Sequence, residues 1–484
     1  MNYKAMGRIM SQILMLEALF MLPSLLLGIY DGTPRTSMAF VYSMGIILLV
    51  AAAMHLASRG AKKMFFAKEG VVCVGLSWIV ISLLGCLPFW FSGEIPLYID
   101  AFFEIVSGFT TTGASVVPEV ERLSRAVLYW RSFSHWLGGM GVLVFLLAIS
   151  PFGQSGGGFT LHLLRAESPG PNVGKLVPRM RQTAEILYLI YILLTVLNVS
   201  FLLFGGMPVF DAVCTAFGTA GTGGFGVKND SIAGYSPYLQ NVCTVFMLLF
   251  GINFNCYYLL LMRQYRSVLK NEEIRLYFGI AIGSVLLIVW NLRGFYPTLR
   301  ETFRHAAFQV SSIMTTTGFA TTDFDQWPSF SKAILLSLMV VGACAGSTGG
   351  GIKCARVLLL FKELRRSVRQ LLHPQKIQAI HCDGQIVDEK ILNRTNIYLS
   401  AYTIIIAVSF LLISIDGLSP ISNFSAVLAC FNNIGPGMEA VGPTANFSSF
   451  SVLSKIVLIV DMLAGRLEIF PILVLFSGRT WKEN

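Results

Sequence analysis

The chain has 484 residues, of which 54% are hydrophobic and only 13% charged, about half the charged share of a soluble globular protein. That balance excludes a surface facing water over most of the molecule. The formal net charge of +10 would suit nucleic acid, but the basic residues sit in alternate connections between apolar runs, a pattern that records orientation in a bilayer.

The short basic start, residues 1–8, leads into an apolar run that reaches Tyr30. This run is too long for a signal-peptide core and no small-residue cleavage site follows, so a retained first span is expected. Ten candidate spans follow one another at residues 9–30, 37–57, 71–91, 126–150, 186–204, 238–262, 276–290, 330–346, 397–415 and 450–475, each near the length that crosses a hydrocarbon core. Ten crossings put both ends on one side. With that side cytoplasmic, 25 of the 36 Lys and Arg residues lie inside, as the positive-inside rule requires. The outer connections hold more acid than base, which raises local cation concentration modestly. The nine cysteines are scattered without a CxxC pair or zinc spacing and read as small core residues.

Between spans three and four, five and six, seven and eight, and nine and ten lies a short apolar stretch, too short to cross, that ends in small residues. The stretches are AFFEIVSGFTTTGAS after Asp100, AVCTAFGTAGTGGFG after Asp211, AAFQVSSIMTTTGFATTD after His305 and AVLACFNNIGPGM after Ser425. Aligned on Gly113, Gly221, Gly318 and Gly435, they recur about every hundred residues, and two share Thr-Thr-Thr-Gly. This is an internal fourfold repeat. The expected fold is an all-α integral membrane protein with two N-terminal spans (1–62) and four pseudo-repeats of span, pore loop and span (63–165, 166–270, 271–390, 391–484) around one pore.

Irregular backbone at membrane depth is tolerated only when buried in protein or lining a watery cavity. Four such segments around one axis satisfy that together. Backbone carbonyls replace the hydration shell of an alkali cation without burying a fixed charge, and threonine hydroxyls add oxygen. Glycine takes positive φ at little steric cost. A half-helix aiming its C-terminus at the axis favours a cation further. No Asp or Glu falls between the last threonine-like position and the glycine, which argues against a carboxylate ring for calcium.

These four loop strings, with HWLGGMGV from His135 and GSTGGGIK at 346–353, resemble the Trk/Ktr/HKT superfamily of potassium transporters, and the two extra leading spans resemble its bacterial TrkH type. The resemblance implies potassium uptake across the bacterial inner membrane with both termini cytoplasmic. It also implies a homodimer and a ring of cytosolic nucleotide-binding regulatory subunits of TrkA type. Potassium is the ion, no organic cofactor is expected in this subunit, and the other contacts are with lipid rather than nucleic acid. Carried over by motif, the filter is Thr110, Thr111, Thr112 and Gly113; Thr219, Ala220, Gly221 and Thr222; Thr315, Thr316, Thr317 and Gly318; and Asn432, Asn433, Ile434, Gly435 and Pro436. Ala220 and Ile434 break the fourfold identity, so some sodium leakage is expected.

Span eight carries five glycines in residues 342–351, each costing a helix about 1 kcal/mol, so it should break into a loop at membrane depth. The resemblance makes this loop a gate, with Gly346, Gly349, Gly350, Gly351 and Lys353 on it and Arg466 near it. Arg466 lies within the last span, where an arginine is costly enough to suggest function: either an electrostatic barrier, or a bridge to Asp461 or Glu468. His135, four residues after Arg131, reads as a satisfied helix-packing histidine. The basic run 362–370 reads as cytosolic flank and as a candidate dock for the regulatory ring.

Two tempting motifs are declined. The GxGxxG at 221–226 has no βαβ context, and GSTGGGIK has Ile352 where a phosphate loop needs lysine. A sodium- or proton-coupled potassium symporter on the same scaffold is the alternative. No paired intramembrane carboxylates, HExxH or Ser/His set supports an enzyme.

Overall fold

The computed structural model describes residues 1–60, 67–141, 180–375 and 378–481. The second half of predicted span four, the boundaries near residues 62 and 165, and Lys62, Lys63, Arg165, Lys175, Arg179, Lys376 and Lys482 lie outside the described residues.

Two N-terminal spans come first. α1 (Tyr3–Phe20) bends at Met21 into α2 (Leu22–Tyr30), where Pro23 occupies the first turn, and α3 (Pro34–Ala57) returns. Asn2 starts α1 by accepting the Ala5 N–H at 3.0 Å, and proline at a first turn loses no helical hydrogen bond.

Four units of span, half-helix and span follow. The first is α4 (Ala67–Gly85) continued by α5 (Leu87–Ser92), then α6 (Tyr98–Phe109) and α7 (Arg125–Gly139). The second is α8 (Met180–Phe204), α9 (Val209–Gly221), and α10 (Pro237–Phe250) with α11 (Phe254–Leu261). A short α12 (Tyr265–Lys270) leads to the third, α13 (Glu272–Asn291), α14 (Leu299–Met314) and α15 (Ser329–Val341), which continues after a loop as α16 (Cys354–Leu372). The fourth is α17 (Glu389–Ile413), α18 (Pro420–Phe431), and α19 (Val452–Arg466) with α20 (Phe470–Phe476), before a last turn α21 (Gly478–Trp481). Between α16 and α17 a small hairpin pairs β1 (His381–Cys382) with β2 (Gln385–Ile386), antiparallel.

Among the described residues, six of the ten predicted spans are long and apolar enough to cross a bilayer by themselves. The second spans of the second and fourth units depart from the expectation. Sequence reasoning broke only span eight, yet α10 and α11 meet at 87°, and α19 stops at Arg466 three residues short of α20. The causes are local. Asn253 caps α11 through the Asn255 N–H at 3.0 Å, which ends α10 at Gly251. Glu468 and Ile469 both take positive φ (55° and 71°), and Pro471 begins the next helix because it cannot continue the last. Three second helices begin alike, on Ser124, Ser236 and Ser451, each accepting the N–H three residues on, a standard N-cap.

The polarity of the packing is inverted relative to a water-soluble protein. Leu49, Leu189, Ile282 and Leu411 face outward from the spans, while Glu104, Arg131, His135 and the six threonines at 110–112 and 315–317 are buried. One apolar cluster joins the N-terminal spans to the first and fourth units, and another joins the second and third. Outward apolar faces around a polar centre are what lipid as solvent demands.

Candidate functional site

The four half-helices end in the same way. Thr111, Thr222, Thr316 and Asn433 take left-handed φ of 56°, 54°, 59° and 55°. In each case the next residue returns its N–H five residues back: Thr112 to Ser107, Gly223 to Gly218, Thr317 to Ser312 and Ile434 to Ala429, all at 2.8 Å. This is the Schellman helix stop, usually built on glycine. Three threonines in the left-handed region are strained, on the order of 1–3 kcal/mol each.

One residue later comes a glycine of positive φ: Gly113 (80°), Gly224 (76°), Gly318 (84°) and Gly435 (99°). These four close a ring. A Cβ on Gly113 would fall on the carbonyl oxygen of Gly223, one on Gly224 on that of Thr317, one on Gly318 on that of Ile434, and one on Gly435 would stand 2.8 Å from that of Thr112. Each segment therefore abuts the next in chain order and the fourth meets the first, so four helix C-termini converge on one centre. Their partial negative charge favours a cation there. The ring stretches, residues 110–113, 221–224, 315–318 and 432–435, contain no ionisable side chain.

In the second unit the ring lies three residues later than an alignment on Gly221 places it. Thr219 and Ala220 are still helical within α9, and Thr219 Oγ1 donates to the Thr215 carbonyl at 2.8 Å. Gly221, Thr222, Gly223 and Gly224 hold the places of Thr110, Thr111, Thr112 and Gly113. Gly221 and Thr222 are thus in the ring, and Gly223 and Gly224 are ring residues the motif reading missed. In the fourth segment Asn433 Nδ2 donates to Thr112 Oγ1 at 2.9 Å and to the Met462 carbonyl at 3.0 Å, and Pro436 packs beside Gly318.

Residues 342–353 form the expected break between α15 and α16 and pack against the first ring residues. A Cβ on Gly349 would lie 2.9 Å from the Thr315 carbonyl, and one on Gly350 would fall on that of Asn432. Gly350 N–H donates to Thr316 Oγ1 at 2.8 Å. The loop is also stitched to the α10–α11 break: Cys344 N–H reaches the Gly251 carbonyl and Phe254 N–H the Gly346 carbonyl, each at 3.0 Å. Glu273 Oε1, at the start of α13, accepts from Ala345 N–H at 2.5 Å and Ala355 N–H at 3.1 Å, clasping both ends. Sequence reasoning missed Glu273, although a glutamate beside an apolar run was its signal.

Arg466 reaches across. It donates to the carbonyls of Thr348 (2.9 Å) and Gly139 (2.7 Å) and to that of Gly138. The bridge to Asp461 or Glu468 is not what these acids do. Glu468 takes Lys353 at 3.2 Å and Arg356, and Asp461 accepts from Ser409 Oγ at 2.8 Å. On the other side of the ring a buried pair, Arg131 with Glu104 at 2.6 Å, ties the first unit to the second, because Arg131 also donates to the Gly226 carbonyl at 3.0 Å and covers the Phe225 ring at 3.5 Å.

Membrane-spanning helices around four re-entrant half-helices whose ends meet in a single ring define a multi-span transport protein rather than an enzyme. The chain belongs to the TrkH family of cation transport proteins, whose pattern it matches over residues 36–290 and 296–483. It is 38% identical over 492 residues to the Trk system potassium uptake protein TrkH of Salmonella typhimurium, covering all of both chains. To the Trk system potassium uptake protein TrkG of Escherichia coli it is 34% identical over 475 residues, covering 97% of this chain and 96% of that one. The crystal structure of the potassium transporter TrkH from Vibrio parahaemolyticus superposes with a TM-score of 0.89 at 32% identity over the full length of both.

Proposed function

We propose that this protein takes up potassium across a bacterial inner membrane, with both termini cytoplasmic, and that the ring of residues 110–113, 221–224, 315–318 and 432–436 is its selectivity filter. The observation that carries this reading is the closed ring of backbone carbonyls and glycines at four converging helix C-termini, free of fixed charge. Such a ring strips and holds an alkali cation through oxygen dipoles alone. The names of the full-length relatives support potassium as the ion. The chain is read as two N-terminal spans and four repeats arranged around that pore.

The loop 342–353, with Gly346, Gly349, Gly350, Gly351 and Lys353, is the gate, and Arg466 is its strap. The exposed apolar edge of α16, Phe361, Leu364, Val368 and Leu371, supports association of two copies. Arg365, exposed on the same helix, supports docking of a cytosolic nucleotide-binding partner of TrkA type, as the membership of the relatives in a named system suggests.

Purified protein in liposomes should carry rubidium down its gradient, and Gly113→Val or Gly318→Val should abolish that flux while the protein remains monodisperse. Each valine Cβ would land on the neighbouring carbonyl, which backbone cannot yield cheaply. Rubidium movement only under an imposed sodium or proton gradient would select coupled symport instead.

A further inference from the structure

Three of the ring segments fill the space behind their first and third residues with their own side chains. Thr110 and Thr112 share a hydroxyl hydrogen bond at 2.8 Å, and Thr315 and Thr317 one at 2.7 Å. The fourth has Asn432, tied to the Tyr402 hydroxyl at 3.0 Å, and the buried Ile434. The second has Gly221 and Gly223 and no side chain for the task.

His135 of α7 occupies that space. A Cβ on Gly223 would fall on its imidazole, nearest Nδ1, and one on Gly221 would fall on its backbone carbonyl oxygen. The imidazole is fully buried and stands edge-on to Phe225, ring centroids 4.1 Å apart. The helix packing expected of His135 is present, but neither ring nitrogen has a hydrogen-bond partner among the described residues, so the expectation of a satisfied histidine is corrected.

Leaving a polar group unpaired in a buried place costs about 1–3 kcal/mol. The second and fourth units avoid that cost at the matching place. Gly465 meets the Phe431 carbonyl as Gly138 meets that of Phe109, and Gly251 meets Thr315 as Gly139 meets Gly221. Counting back from these glycines, Met462 and Met247 correspond to His135, and both are buried. A polar ring in a position where methionine serves elsewhere is retained against stability, beside the one segment that is three-quarters glycine.

We infer that His135 is a positioning residue for cation specificity, whose imidazole takes the volume missing at Gly223 and so fixes where the carbonyls of the second segment stand. This rests on the ring being the filter. Discrimination between alkali cations needs oxygens held in place, and the glycines at 221, 223 and 224 have the widest backbone freedom in the ring. With the imidazole present, the segment cannot slide toward α7. Without it, the segment relaxes into the vacated volume and its carbonyls open toward sodium.

The test is paired rubidium and sodium tracer flux into liposomes holding the full-length chain. Unsubstituted protein that carries no rubidium would sink the filter reading itself. Given rubidium flux, His135→Ala should lower the rubidium-to-sodium ratio at least fivefold, and His135→Leu, which refills the volume without a ring nitrogen, should stay within twofold of the parent. Gly223→Thr alone should abolish flux, because its side chain lands on the imidazole, and His135→Ala with Gly223→Thr should restore selective flux to within threefold. An unchanged ratio in His135→Ala, or a double variant as inactive as Gly223→Thr, overturns the inference. If His135→Ala does not elute as a monodisperse protein, His135→Val replaces it in both measurements under the same criteria.

Discussion

Arg466 donates to the carbonyl of Thr348 at 2.9 Å across 118 residues of sequence, and the same guanidinium holds the carbonyls of Gly138 and Gly139 at the end of α7. One side chain thus fastens the glycine loop of the third unit to the first unit while standing on the fourth. The loop's own glycines give it little helical preference, so its place against the ring depends on such external ties. Charge-assisted bonds to backbone are stronger than neutral ones. Removing the donor should free the loop: Arg466→Ala is expected to raise rubidium flux several-fold in liposomes that hold this chain alone. Arg466→Lys, with one compact cation in place of the fork, should fall between. Unchanged flux with lost protein yield would assign Arg466 a structural role instead.

The far end of the loop has a second tie. Lys353, itself at positive φ (71°), meets Glu468 at 3.2 Å, and Glu468 also holds Arg356. All three are largely buried, so removing the single anion leaves two cations short of a partner. Breaking a buried pair from one side costs about 3–5 kcal/mol. Glu468→Gln should therefore loosen the loop and raise basal flux. Lys353→Met with Glu468→Gln should depart from the product of the two single effects, because the residues touch. Additive effects in that double-mutant cycle would show that the two residues do not act on flux as a pair.

On the opposite side, Glu104 accepts from Arg131 at 2.6 Å, from Ser115 Oγ at 2.9 Å and from Val116 N–H at 2.9 Å. It holds the chain returning from the first ring segment against α7. Glu104→Ala should lower stability by about 3–5 kcal/mol, since it strands a buried guanidinium, and should appear as a marked fall in melting temperature in detergent. Glu104→Gln with Arg131→Met should recover part of that loss. A melting temperature within one or two degrees for Glu104→Ala would refute the account.

Much of this was legible in the sequence because its signals are local. Among the described residues the apolar runs located six spans, two of them built from two helices in succession (α1 with α2, α4 with α5); the two Thr-Thr-Thr-Gly strings located two ring segments, and five glycines marked the break after α15. The register of the second segment was not legible. Four glycines at 221, 223, 224 and 226 offer several alignments, and only the left-handed turn at Thr222 followed by Gly224 selects among them. The breaks after Phe250 and Arg466 were missed although Asn253 and Pro471 signal them. They lie in apolar surroundings, where hydropathy alone reads a continuous helix. The partners of Arg466 were out of reach, since carbonyls carry no sequence signature and those of Gly138 and Gly139 are more than three hundred residues away.

Cysteine chemistry offers a check on the hairpin that follows α16. All nine cysteines are free, and Cys382 alone among them is not buried. Even so, burial pushes its thiol from the usual 9.0 up to about 11, with Asp383 adding in the same direction and Lys362 opposing. At pH 8, below both values, a two-unit rise makes the thiolate roughly a hundredfold scarcer. The greater nucleophilicity of a more basic thiolate returns about tenfold of that. Maleimide should therefore label Cys382 about tenfold more slowly than an exposed peptide cysteine at pH 8, and the rate should keep climbing to pH 10 rather than level off near 9. Asp383→Asn should speed labelling, because it removes the anion that disfavours the thiolate. Labelling at the peptide rate would show that Cys382 stands in water and that the hairpin does not pack against Glu272 and Lys362 as the structure places it.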